Sequence, residues 1–176
     1  MATTSALVSL DEYLNTSYEP DREFVEGALV ERNVGTPPHG RLQLIAGSYF
    51  RQYRKSHRIE AFTETRLRIA PHRHRIPDVM VVETPYQSGK VITDIPAITV
   101  EIKSPDDTFD DIVDKCFEYE ALGVGSILVM DPDHRRAFLF EQSTLRALPG
   151  ASIDLHLRQS TIDFPFAQMF AELDEG

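Results

Sequence analysis

A strand, a helix and a second strand follow one another between Ala97 and Asp131, and they constrain the fold more than any other stretch. In "AITVEIKSP" the apolar Ile98, Val100 and Ile102 alternate with Thr99, Glu101 and Lys103, the period-two pattern of a strand with two distinct faces. "SPDDT" then supplies helix-start residues, with Asp107 or Thr108 as the candidate cap. Phe109, Ile112, Val113, Cys116 and Phe117 form a stripe at helical spacing that ends near Gly123, and "SILVMD" reads as a buried strand. Asp131 to His134 forms a turn, and "RRAFLFE" is the hairpin partner.

The segments before this unit are hairpin-like. Ser9 and Glu12 have capping-box spacing, so a short helix is expected near Leu10. "REFVEGALVER" reads as a hairpin with Glu26-Gly27 at its turn, and "NVGTPPHG" as a loop. From His39 onward, Leu42, Ile45, Ala46, Tyr49, Phe50 and Tyr53 make one apolar helical stripe. "RIEAFTETRLRIA" gives one or two strands, and "PDVMVV" a short strand entered through Pro77, which has no amide hydrogen to offer a ladder. After Glu141 come one or two short strands and a helix around Phe166 to Leu173. Hairpins followed by strand–helix–strand point to an α/β fold, a mixed sheet with helices packed on it, and no linker divides residues 1–176 into separate domains.

Composition narrows the function classes. A chain of 176 residues with 41% hydrophobic content can build a proper core. It has no apolar run long enough to cross a membrane, and "MATTSALVSLDEYL" lacks the basic start and apolar stretch of a signal peptide. The single cysteine, Cys116, can form no internal disulfide, and a cytoplasmic location is the expectation. The net charge of −10 argues against phosphate binding by an overall basic excess. Basic residues are concentrated locally in "RLRIAPHRHRIP", where Arg66, Arg68, Arg73 and Arg75 surround His72 and His74; this is either a phosphate contact or a solvated, charge-rich loop.

The residues with chemistry are acidic and sit on strands. Asp78 opens one strand, and Glu101 and Lys103 share a face of a later one. If the strands are neighbours, the two carboxylates converge from rigid backbone, as a metal site requires. Two carboxylates, waters and a phosphate oxygen suit magnesium, with manganese as a substitute, and the Ile102 carbonyl adds a further oxygen. Lys103 would then orient a water or stabilise charge on a phosphate. The plain alternative is a solvent-facing salt bridge between Glu101 and Lys103.

With "RIPDVMVV" and "AITVEIKSPDD" in this order, the sequence resembles the PD-(D/E)xK nuclease superfamily, the restriction-endonuclease-like fold. Together with "REFVEGALVER", "PPHGRLQLIAG", "VEIKSPDDTFDDIVDKCFEYEALGVGSILVMDP" and the trailing hairpin, it resembles the Uma-type family of restriction endonucleases, most clearly over Leu10 to Glu141. The resemblance implies a central mixed sheet flanked by helices and metal-dependent hydrolysis of phosphodiester bonds, with DNA as partner. Asp78 and Glu101 match the metal-binding acids and Lys103 the catalytic lysine, which many members of the family lack. Lys115 matches a recurrent family lysine; otherwise it would pair with Asp111 one helical turn earlier. Glu26 in "VEG" and His39 in "PPHG" match family positions near the site, or serve only as a turn residue and a local hydrogen bonder. Cleavage of both DNA strands would favour a homodimer. The rival readings are a non-catalytic nuclease-fold module that binds nucleic acid or protein, and a metal-dependent hydrolase of a small phosphate ester.

Overall fold

The computed structural model describes residues 7–33 and 35–175. The leader-free reading of the first residues, and the Val34 position of the expected "NVGTPPHG" loop, lie outside the described residues. The elements in chain order are α1 (Leu10–Asn15), β1 (Arg22–Val25), β2 (Ala28–Glu31), α2 (Pro37–Gln52), β3 (Ile59–Thr63), β4 (Leu67–Ala70), β5 (Arg73–Arg75) and β6 (Val79–Glu83). They continue with β7 (Ile98–Ile102), α3 (Phe109–Leu122), β8 (Ser126–Asp131), β9 (Arg136–Glu141), β10 (Thr144–Ala147), β11 (Ile153–His156), β12 (Thr161–Phe164) and α4 (Phe166–Glu172).

A six-stranded sheet in the order β10-β9-β8-β7-β6-β3 forms the centre of the molecule. Its neighbours are antiparallel except β7 and β8, which run parallel because α3 carries the chain back across the sheet between them. The strands bury both faces. Val79 and Val81 of β6, with Ile98, Val100 and Ile102 of β7, pack under Leu42, Ala46 and Phe50 of α2 and under the α4 residues Met169 and Phe170. Met80 and Val82 point to the opposite face, with Ile127 and Val129 of β8, against Ile112, Cys116 and Tyr119 of α3. Among the described residues no helix is long and apolar enough to cross a membrane.

A second sheet of four antiparallel strands, β2-β1-β5-β4, stands beside the first, and β11 and β12 form a separate pair. The β1–β2 hairpin turns at Glu26-Gly27, as the composition predicts, with Val25 opposite Ala28. Ser9 caps α1 by accepting a hydrogen bond from the Glu12 amide at 3.1 Å. Thr108 caps α3 in a reciprocal capping box with Asp111, and Gly123 ends that helix at φ 96° in the left-handed conformation glycine adopts without strain.

Several expectations shift. Helix α2 starts at Pro37 rather than His39, because proline's fixed φ and missing amide hydrogen suit a first turn. The charged "RHR" is the strand β5, not a solvated loop: it pairs with β1 and β4, and His74 is buried against Tyr13 and Phe24. The buried face of α3 is rotated from the expected stripe toward Tyr119, leaving Phe109 38% and Phe117 43% exposed. Three short strands rather than one or two follow Glu141.

Candidate active site

The site is made by strand register. Val79 lies opposite Val100 and Met80 opposite Thr99, so the residue before β6, Asp78, falls opposite Glu101 of β7. Both carboxylates are buried, at 3% and 4% exposure, and both line a cavity of about 720 Å3 together with Ile102, His39 and Lys115. The polar face of β7 is therefore covered by α3, and Glu101 is not a partner of Lys103 at the surface.

Asp78 is held by four groups. Its Oδ1 accepts a hydrogen bond from Arg32 Nη2 at 2.9 Å, and its Oδ2 accepts one from the Ile102 amide at 2.7 Å. His39 Nε2 lies 3.3 Å from Oδ2, and Gln43 donates to the Asp78 carbonyl at 2.9 Å. Burial disfavours the charged carboxylate, but His39, Arg32 and the Ile102 amide outweigh it and hold the Asp78 pKa below the usual range. For His39, burial opposes protonation, but the neighbouring Asp78 and Glu64 raise its pKa nonetheless.

Glu101 behaves differently. Tyr119, fully buried on α3, donates its hydroxyl to Oε1 at 2.6 Å, and Lys115 Nζ stands 3.6 Å from Oε2. Burial pushes the Glu101 pKa up to about 7; Lys115 and Tyr119 resist that rise, while Asp78 and Glu23 add to it. The two neighbouring acids are thus pushed in opposite directions, Asp78 downward by its cationic and amide partners and Glu101 upward by burial.

Lys115 is anchored from its far side. Its Nζ is 3.4 Å from Glu23 Oε1, and that same oxygen accepts a hydrogen bond from the Ile76 amide at 3.2 Å. Arg75 Nη1 donates to Glu23 Oε2 at 2.8 Å and also grips Glu118, which receives Arg73 as well. Burial works against the charge on Lys115, but Glu101 and Glu23 raise its pKa and keep it an ammonium. Asp111, the helical neighbour that the simple surface reading would pair with Lys115, is occupied in the cap of α3.

Asp78, Glu101, Ile102, His39 and Lys115 thus meet in one cavity. Lys103 and Glu26 do not line it. The chain leaves the β7 strand after Ile102, and Lys103 Nζ donates to the Ser104 carbonyl at 3.1 Å and lies 5.9 Å from the centre of the Phe109 ring. Glu26 sits in the hairpin turn with its side chain 63% exposed, 3.7 Å from Arg73. Sequence reasoning missed Glu23, Arg32 and Tyr119, and singled out Arg75 only as a member of the basic cluster. A charged residue beside Phe24 in a predicted strand was the available sign for Glu23; the others act across elements far apart in the chain. The arginines of "RLRIAPHRHRIP" are largely spent on internal pairs, Arg66 on Asp21 and Arg73 and Arg75 on Glu118.

A central mixed sheet flanked by helices, with an acidic pair at adjoining ends of two neighbouring strands, is the restriction-endonuclease-like architecture. The chain belongs to the Uma2 family, described as "Putative restriction endonuclease", whose profile matches residues 10–160. Among solved structures it is similar to one described as "a putative nuclease belonging to DUF820" from Anabaena variabilis. That similarity has 20% sequence identity and a TM-score of 0.79, and it covers 94% of this chain and 99% of the other. A second similarity, to a DrdV–DNA complex, has 18% identity and a TM-score of 0.38 and covers 76% of this chain and 10% of that one, too slight to carry an argument. No curated protein matches the sequence.

Proposed function

We propose that the cavity is the active site of a metal-dependent endonuclease that hydrolyses phosphodiester bonds in DNA. The observation that carries this reading is the register-placed pair of buried acids, Asp78 and Glu101, with the Lys115 ammonium beside them. The donor set fits a hard divalent cation. Among the described residues there is no cage of three or more metal-ligating side chains, but magnesium characteristically takes one or two carboxylates and completes its shell with water and phosphate oxygens. Asp78, Glu101 and the Ile102 carbonyl would hold magnesium or manganese. A divalent charge there would also relieve the repulsion that helps raise the Glu101 pKa.

Bound in this place, the metal supplies Lewis-acid polarisation of the phosphate and a more acidic water. The protein supplies the rest. Lys115, fixed between Glu101 and Glu23, offers positive charge where negative charge builds on the phosphate oxygens. Tyr119 fixes the Glu101 carboxylate, and Arg32 and His39 fix that of Asp78. Cleavage of both strands would bring two copies of the chain together as a homodimer.

A non-catalytic nuclease-fold module is the second reading. It is favoured by one observation: each acid already has a cationic partner within the chain, Arg32 for Asp78 and Lys115 for Glu101. Incubation of supercoiled plasmid with magnesium or manganese separates the two. The nuclease nicks or linearises it, and Asp78→Ala and Glu101→Ala each reduce the rate by roughly a hundredfold or more. An intact plasmid with both metals, together with no metal-dependent shift in melting, leaves the binding module.

A further inference from the structure

An acidic chain with an acid-lined cleft needs some other surface to hold a polyanion. Of the arginines ahead of Asp78, Arg66, Arg73 and Arg75 are consumed internally, and the cavity itself contains more carboxylates than cations. On the other side of the first turn of α3 there is a second, less polar hollow of about 460 Å3. Its walls are Phe109, Phe138 and Leu145, and its rim carries His134, Arg136 and Asp131. Phe109 meets Phe138 edge to face at 5.4 Å and keeps 38% of its surface exposed. Lys103, displaced from the cleft, sends its ammonium to within 5.9 Å of the Phe109 ring centre. Asp131 is buried, and its carboxylate accepts from the Asp133 and His134 amides and lies 2.8 Å from His134 Nδ1.

We propose that this aromatic hollow, with Arg136 on its rim and the Lys103 ammonium near its Phe109 wall, is a docking groove for a nucleotide that flanks the bond cut in the neighbouring cavity. The inference rests on the nuclease reading and extends it by naming the surface that holds the strand. Charge and shape both favour a nucleic-acid strand as the occupant. Cations suit its phosphates, and an open aromatic wall suits the face of an unstacked base whatever its identity. The groove adjoins the cleft across the N-terminal turn of α3. Only the first turn of α3 separates the two, with Phe109 on one side and Asp111, Ile112 and Lys115 on the other. A helix is about 10 Å across, a short step for a polynucleotide. The position of Lys103, one residue past the end of β7, then has a purpose: it holds the strand beside the reaction centre instead of acting within it.

Fluorescence anisotropy with a labelled oligothymidylate of about 20 nucleotides tests the groove. The full chain is used in EDTA, over a series of salt concentrations. The double variant Lys103→Gln/Arg136→Gln is expected to bind roughly tenfold more weakly, with a salt dependence shallower by about 0.7 per lost phosphate contact. Phe109→Leu, which keeps an apolar side chain on α3, is expected to weaken binding roughly tenfold with an unchanged salt slope, because stacking releases no counterions. Manganese-dependent melting of all variants should match that of the wild type, since none of these side chains belongs to the cavity. Unchanged affinity and slope overturn the groove even if the plasmid assay succeeds, and so does a wild type that does not bind the oligonucleotide. Light scattering that shows altered self-association with unaltered oligonucleotide binding also overturns it, and makes the face a contact between copies of the chain. Plasmid cleavage with its Asp78→Ala control judges the cavity separately.

Discussion

Tyr119 shows how much a single atom contributes to the site. Its hydroxyl is the hydrogen-bond donor to Glu101 Oε1, in a place with no exposure to water. Tyr119→Phe keeps the packing and removes that donor, so it should cost about 1–3 kcal/mol, read from urea unfolding near neutral pH. It should also raise the Glu101 pKa further, since the hydrogen bond favours the ionised form. His74 offers a test with pH. Burial, with Arg68, Arg66 and His72 nearby, lowers its pKa from 6.5 to about 4. Between those values the unfolded chain binds the extra proton, so stability should fall as pH drops through that window. Its Nδ1 also lacks a hydrogen-bond partner among the described residues. His74→Leu should remove roughly 1–3 kcal/mol of the acid-side loss, visible as a flatter melting temperature between pH 6.5 and 4.

At the scale of elements, α3 matters most, because it carries both Lys115 and Tyr119 and connects the two parallel strands. Its ends are defined by local chemistry. Thr108→Ala removes the capping box and should cost about 1 kcal/mol. Gly123→Ala places a side chain at φ 96° with open space around it, Ile95 Cδ1 lying 3.9 Å away, so its cost of about 1 kcal/mol is backbone strain alone. Urea midpoints measure both. These caps were legible in the sequence, as were β6, β7, β8 and the hairpin turn, because each depends on residues within one or two turns of chain. The acidic pair was legible for the same reason: its members sit at the ends of strongly patterned strands. What was not legible depends on contacts between distant segments. Glu23 enters the cavity because β1 pairs with β5, and Lys103 leaves it because the strand ends one residue earlier than the alternation suggests. Tyr119 was passed over because α3 packs on a face rotated from its most hydrophobic stripe.

At the scale of the whole molecule, the proposed metal site would link metal binding to folding. A cation held by Asp78 and Glu101 would bind the folded chain and not the unfolded one, so manganese should raise the melting temperature. At a hundred times the dissociation constant the gain is about 2.7 kcal/mol, or roughly 5–10 °C for a chain of this size. Asp78→Ala should abolish most of the shift. The net charge of −10 adds a second effect, since self-repulsion weakens as salt screens it.

The β6–β7 pairing brings Asp78 opposite Glu101 with a long connection between the two strands, residues 84–97. The tip of that connection, Gln87 to Lys90, is exposed and stands apart from the paired ends. Loop closure depends only weakly on length, so the chain can be opened there without disturbing the pairing. A reporter domain spliced between Ser88 and Gly89 should leave the acidic pair in register, making this enzyme-like scaffold a place to build a fused sensor. A one-residue deletion inside β7, by contrast, would turn every side chain beyond it to the opposite face and erase the site.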